Sequence, residues 1–133
     1  MSTNIPESHR DLLERRTFPI LVTLMADGSP QASPVWFSYD GEHILVNSAV
    51  GRVKDRNMRR DPRVALLFLD PKNPYRYIQI RGRVVEIIEG ERAEDDIDRL
   101  AQKYLGQERY PHRAPGEKRV TYLIRPESVN VMG

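Results

Sequence analysis

Apolar and polar positions along the chain follow two periods. Phe18 to Met25 (FPILVTLM) and Val64 to Leu69 (VALLFL) are short continuous apolar runs rich in β-branched and aromatic side chains, the pattern of buried strands. Gln31 to Tyr39 and His43 to Asn47 extend the first run into a meander, because Asp27-Gly28 and Asp40-Gly41 are tight-turn pairs between them. Arg76 to Ile88 alternates through Ile78, Ile80 and Val84 and predicts a long strand bent at Gly82. Arg119 to Ile124 and Ser128 to Val131 close the sheet.

Three segments carry helical spacing instead. Glu91 to Tyr104 puts Ala93, Ile97, Leu100, Ala101 and Tyr104 on one stripe and acids on the opposite face. Val50 to Arg60 must stop at Asp61-Pro62, since a residue before proline is pushed out of the helical region. Glu7 to Arg16, with Leu12 and Leu13 in a polar stretch, predicts a short helix packed on the outside. The expectation is a mainly-β, α+β fold: a small barrel of six or more mostly antiparallel strands with two or three helices, closed so that no edge is left exposed.

The length of 133 residues suits one domain, 1–133, at roughly 100–150 residues per domain. The chain has no Cys, which removes disulfides, thiol catalysis and Cys-based zinc sites. No apolar run approaches the roughly 20 residues a bilayer needs, and MSTNIPESHR lacks the apolar stretch of a secretory signal. A cytoplasmic protein without a membrane span is the expectation.

A net charge of +2 conceals two opposed windows. Residues 52–63 (RVKDRNMRRDPR) hold six basic residues and two acids, a local +4, while residues 86–98 (EIIEGERAEDDID) hold seven acids and one Arg, a local −6. The basic side chains number 17 Arg to 4 Lys, and the planar Arg fork suits carboxylate and phosphate. In the stretch NSAVGRVKDRNMRRDPR a strand end runs through Ser and Gly into an Arg-studded helix. Free N–H groups at a helix start attract phosphate, and Arg or Lys adds charge. Arg52, Arg56, Arg59, Arg60 and Arg63 recur at helical intervals, whereas Lys54 lies about 200° from Arg52 on a helix. If Arg52 sits in the loop before the helix, it and Lys54 converge on an anion at the helix start, with Ser48 adding a hydroxyl. The alternative is a solvated basic face with a capping Ser.

A second candidate is aromatic. Tyr75 and Tyr77 flank Arg76, and Trp36 with Phe37 follow Gln31, Ser33 and Pro34, so a planar ligand could stack on rings and bond to Gln31 or Ser33. The structural alternative is core packing, strongest for Phe37 and Phe68. His9, His43 and His112 have no metal-site spacing and read as surface residues. The acids from Glu89 to Asp98 read as the wet face of a helix rather than a calcium loop. No nucleophile elbow, Walker loop or dinucleotide fingerprint occurs, so an enzyme of this sequence needs a cofactor to carry the chemistry. The near-neutral total and the acidic helix argue for a small anionic ligand and against nucleic acid.

These residues carry a resemblance. SPVWF after a Gln, GRVKDRNMRRDPRVALLFLDPKNPYRYIQIRGRVVEI, KYLG and RPESV resemble the pyridoxamine 5'-phosphate oxidase-like split-barrel superfamily over residues 8–131. Within it the chain is most similar to the deazaflavin-dependent oxidoreductases of the B group, which use coenzyme F420. The resemblance implies a six-stranded antiparallel split β-barrel of the FMN-binding type, assembled as a homodimer with cofactor sites at the interface. It implies that Ser48, Arg52, Lys54 and Asn57 hold the cofactor's phosphate, and that Gln31, Ser33, Pro34 and Val35 line the tricyclic ring. Tyr75 and Tyr77 from the partner chain would cover ring or tail. The implied activity is hydride transfer from reduced F420 to an activated double bond or similar small acceptor. FMN, in a pyridoxamine oxidase-like enzyme or a non-catalytic flavin-binding protein, is the alternative.

Overall fold

In the computed structural model, which describes residues 4–133, a single antiparallel sheet holds the chain together. Its strands are β1 (Ile20–Leu24), β2 (Pro30–Pro34), β3 (Phe37–Tyr39), β4 (Ile44–Ala49), β5 (Arg63–Asp70), β6 (Asn73–Glu89) and β7 (Arg119–Met132). They lie in the order β2-β1-β5-β6-β7-β4-β3. The helices are α1 (Asp11–Glu14), α2 (Val53–Arg60) and α3 (Glu91–Leu105), with a 3-10 turn at Glu7–His9 before α1.

The sheet is a curled half-barrel of seven strands among the described residues, not six. Two readings of the sequence change. Gln31 to Tyr39 is not one strand: β2 pairs with β1 at one edge of the sheet and β3 pairs with β4 at the other. Pro34 has no N–H to continue a ladder, and the chain crosses between edges at Val35 and Trp36. Conversely, the two closing segments are one strand, β7, which continues through Pro126 because β7 itself bulges there, with Glu127 extra between the pairs Gly82–Pro126 and Arg81–Ser128. The segment Glu7 to Arg16 likewise divides into the 3-10 turn and α1.

The curl comes from β6 and β7, whose register shifts at Arg81/Gly82 and at Val84/Glu86. At the first bulge a Cβ on Gly82 would meet the Arg125 carbonyl oxygen at 2.6 Å, so only glycine allows that approach. The concave side gathers Leu21, Leu66, Phe68, Ile78, Ile80, Tyr122 and Ile124, with Phe37 edge-on to Phe68 at 4.9 Å. Leu12 and Leu13 from α1, Met58 from α2 and Ile97, Leu100 and Tyr104 from α3 cover it. Full burial of each such side chain contributes about 1.5–3 kcal/mol. Among the described residues no helix is long and apolar enough to cross a membrane.

Two polar assignments also change. His9 is buried, 2% exposed, with Nε2 2.8 Å from the Met132 carbonyl, so it joins the two ends of the chain rather than facing solvent. Arg63 lies on β5, clamped to Asp61, and so leaves the helical row of arginines.

Candidate functional site

The β4–α2 junction builds one end of a cavity. β4 ends at Ala49, Gly51 adopts φ 93° and Arg52 is the residue before the first turn of α2. No side chain caps that turn, which leaves N–H groups there for a ligand or water. The turn is held by Asp55, which accepts from the Gly51 N–H at 2.9 Å, from Arg59 Nε at 2.9 Å and from the buried Tyr122 hydroxyl. Burial alone would raise the Asp55 pKa, but these three donors outweigh it and hold the carboxyl below its ordinary value. Burial and the facing carboxylate push the Tyr122 hydroxyl well up, which keeps it a donor.

The cavity itself has a volume of about 260 Å³. Phe18, Pro34, Val35, Trp36 and Ile97 form an apolar wall, and Arg52, Lys54 and Arg119 with Ser48 and Asn47 form a polar end. Tyr110 and His112, from the loop after α3, complete the lining. Ser48 Oγ is buried and makes no hydrogen bond, and the same is true of Ser33 Oγ on β2. An orphaned hydroxyl beside three cations is a donor waiting for an anion's oxygen. Lys54 is half-buried. Burial first, then the Arg52 and Arg119 charges, pull its pKa below the ordinary lysine value.

The apolar wall is set from behind by α3. Tyr104 donates its hydroxyl to the Thr17 carbonyl and accepts the Phe37 N–H at 3.4 Å, while Lys103 Nζ donates to the Phe37 carbonyl at 2.7 Å. These bonds satisfy the backbone where β2 and β3 part. The Trp36 ring stacks on Tyr104 at 5.1 Å with planes 5° apart and meets Tyr110 edge-on at 5.9 Å. Burial lowers the Lys103 pKa to about 8 and raises that of Tyr104 to about 12.

Comparison with known proteins supplies the family. The family model for pyridoxamine 5'-phosphate oxidase matches residues 5–133. The chain belongs to this family. Among solved structures it is similar to an F420 reductase at 33% identity, covering 95% of this chain and 98% of that one, with a TM-score of 0.83. It also shares the fold of the conserved hypothetical protein Rv2991 from Mycobacterium tuberculosis, at 24% identity, 97% and 85% coverage and a TM-score of 0.76. HupZ from Group A Streptococcus shares it at 18% identity, 96% and 94% coverage and a TM-score of 0.69.

Of the residues that the resemblance to this oxidase family singles out, Pro34, Val35, Ser48, Arg52 and Lys54 line the cavity. Gln31 and Ser33 lie on β2 with Pro34 but outside the lining, Gln31 accepting from Thr23 at 3.4 Å. Asn57 does not reach the cavity lining: it is 1% exposed and donates to Thr23 Oγ1 and Met25 Sδ, tying α2 to the end of β1. Tyr75 and Tyr77 also lie outside the lining, on β6, with Tyr75 79% exposed. Phe37 and Phe68 are core. The acids of α3 are not a wet face throughout. Asp96 is buried and accepts from Thr121, whereas Asp98 and Glu94 hold Arg113 and the loop that carries Tyr110 and His112. Arg119, Tyr110, His112 and Phe18 are cavity residues without any local sequence signal, since they come from a strand start, a loop and a pre-strand position.

Proposed function

We propose that this chain is an oxidoreductase in which coenzyme F420 binds the cavity and a hydride passes from its reduced ring to an activated double bond or a similar small acceptor. The main support is the continuity, within one cavity, of an apolar aromatic wall with three cations and an unsatisfied hydroxyl. That pairing suits a planar ring joined to a phosphate. When bound, the deazaflavin supplies the hydride chemistry, so no His or Cys nucleophile is needed.

The chain's own residues then bind, orient and exclude water. Pro34 and Val35 would lie against the ring, with Gln31 and Ser33 behind them on β2, outside the cavity lining. Ser48, Arg52 and Lys54 take the phosphate, and Asn57 keeps α2 seated so that Lys54 points where it is needed. A volume of about 260 Å³ is below the ~300–1,000 Å³ of complete ligand pockets, which supports a homodimer whose partner subunit covers the remainder with Tyr75 and Tyr77. The outward side of the sheet supports it too, with Ile20, Val22 and Leu67 half-buried and Leu69 38% exposed.

FMN is the second reading, favoured by charge. Three cations against the single carboxylate of Glu117 leave +2, which matches a terminal phosphate dianion. An absorbance titration separates the two. Saturable binding of F420 with little affinity for FMN is expected, and tight FMN binding with none for F420 overturns the F420 reading. Stopped-flow oxidation of the reduced holoprotein by candidate acceptors distinguishes an enzyme from a flavin store. Arg52→Ala and Lys54→Ala should each weaken cofactor binding by about 1–3 kcal/mol, the range for charge-assisted bonds, and Arg60→Ala should change little. Equal, small effects at all three positions would remove the phosphate assignment.

A further inference from the structure

Two of the three cavity cations already face a carboxylate. Glu117 Oε1 lies 3.2 Å from Arg52 Nη2 and 3.3 Å from Arg119 Nη1, with the Glu117 side chain only 9% exposed. The contact is incomplete. Arg52 makes a hydrogen bond to Glu117, but the buried Arg119 Nη1 has no aligned acceptor and the buried Glu117 Oε2 has no donor. Buried carboxylates ordinarily draw donors to both oxygens. Arg119, by contrast, is fixed without Glu117. Its Nε donates to Asn47 at 2.9 Å, its backbone N–H to Glu94 at 2.9 Å, and its guanidinium lies 5.1 Å from the Tyr110 ring centroid. Arg119 is held by other groups, whereas the Glu117 carboxylate uses only one of its two oxygens.

We propose that Glu117 is a built-in competitor at the anion site: its carboxylate stands in for a ligand oxygen between Arg52 and Arg119, and a phosphate group gains both guanidiniums by displacing it. The inference rests on the reading of the cavity as a phosphate site. Arg119 thereby becomes a third phosphate-binding cation beside Arg52 and Lys54, with Ser48 Oγ donating from below. Glu117 competes with every anion for the two guanidiniums, because any ligand that takes them must first repay the lost ion pairs. Removing the charge at residue 117 should therefore tighten anion binding rather than loosen it.

The probes are inorganic phosphate and pyrophosphate, titrated against the full chain. Binding is read from the fluorescence of Trp36, the one tryptophan, which lines the cavity. Glu117→Gln should bind phosphate about tenfold more tightly than the wild type, the size of one charge-assisted contact, with pyrophosphate gaining at least as much. Arg119→Gln should weaken both by about tenfold, and in the double variant the gain from Glu117→Gln should shrink, since the fork it frees is gone. Arg119→Lys keeps the charge without the fork, and serves if Arg119→Gln does not fold; it should lose pyrophosphate affinity. Unchanged or weaker phosphate binding by a folded Glu117→Gln overturns the proposal while leaving the phosphate site intact. Binding of neither probe to any of these proteins overturns both.

Discussion

Replacing Asp55 with alanine tests whether the turn into α2 is held by one buried carboxylate. Asp55 is 1% exposed, and its loss strands three donors. The Tyr122 hydroxyl, on a residue with no exposed surface, cannot reach water, and an orphaned buried donor costs about 1–3 kcal/mol. Arg59 is 36% exposed at its side chain and keeps Glu89 at 2.9 Å, so its share is discounted to about 0–1 kcal/mol. The Gly51 N–H, partly buried, recovers much of its bond from water. The sum is about 3 kcal/mol, or roughly 9–15 °C in Tm for a chain of this size. Acid sharpens the test. Because the folded Asp55 pKa is depressed, its contribution is fully present above its unfolded value of 3.8 and is lost as pH falls through the folded value. The gap between wild type and Asp55→Ala in urea unfolding should therefore narrow at low pH. Asp95→Ala, at an exposed position on α3, should change little. A loss below about 1 kcal/mol for Asp55→Ala, or a gap that does not narrow in acid, would refute the reasoning.

Two further outcomes follow from the same kind of geometry. Gly82→Ala forces a Cβ against the Arg125 carbonyl at 2.6 Å and Ile124 Cγ2 at 3.1 Å, so it should destabilise by about 1–3 kcal/mol in thermal unfolding, as overpacking does. Lys103, with a folded pKa of about 8 against 10.5 unfolded, binds fewer protons folded than unfolded in between. Stability should thus rise from about pH 8 toward 10 relative to Lys103→Met, and parallel profiles for the two proteins would count against a desolvated amine.

The strands were legible because each buried run has its own period and its own glycine turn. Asp27-Gly28 and Asp40-Gly41 both end in positive-φ glycines, and the bend at Gly82 is a bulge. What the pattern could not carry is connectivity. Val35 and Trp36 sit in an apolar stretch that reads as continuous, yet their N- and C-terminal neighbours pair at opposite edges of the sheet. The deciding groups, Tyr104 and Lys103, lie on a helix more than 60 residues away. The same distance hides Arg119, whose place in the cavity depends on β7 lying beside β4.

Charge shows the limit most clearly, and also what resolves it. A count of +4 over residues 52–63 suggested a row of arginines on one face. In three dimensions part of that charge is compensated, Arg59 by Asp55 and Glu89 and Arg63 by Asp61, whereas Arg56 and Arg60 bond to the neutral Gly51 and Leu24 carbonyls and keep their charge. The Arg59–Glu89 pair joins the basic window to the acidic one directly. What stays available for a ligand in the cavity is Lys54, together with Arg52 and Arg119 across a shared glutamate. Positive potential therefore runs from the cavity along α2 through Arg56 and Arg60, and what sets the cavity cations apart is the orphaned Ser48 hydroxyl and the apolar wall that share their pocket.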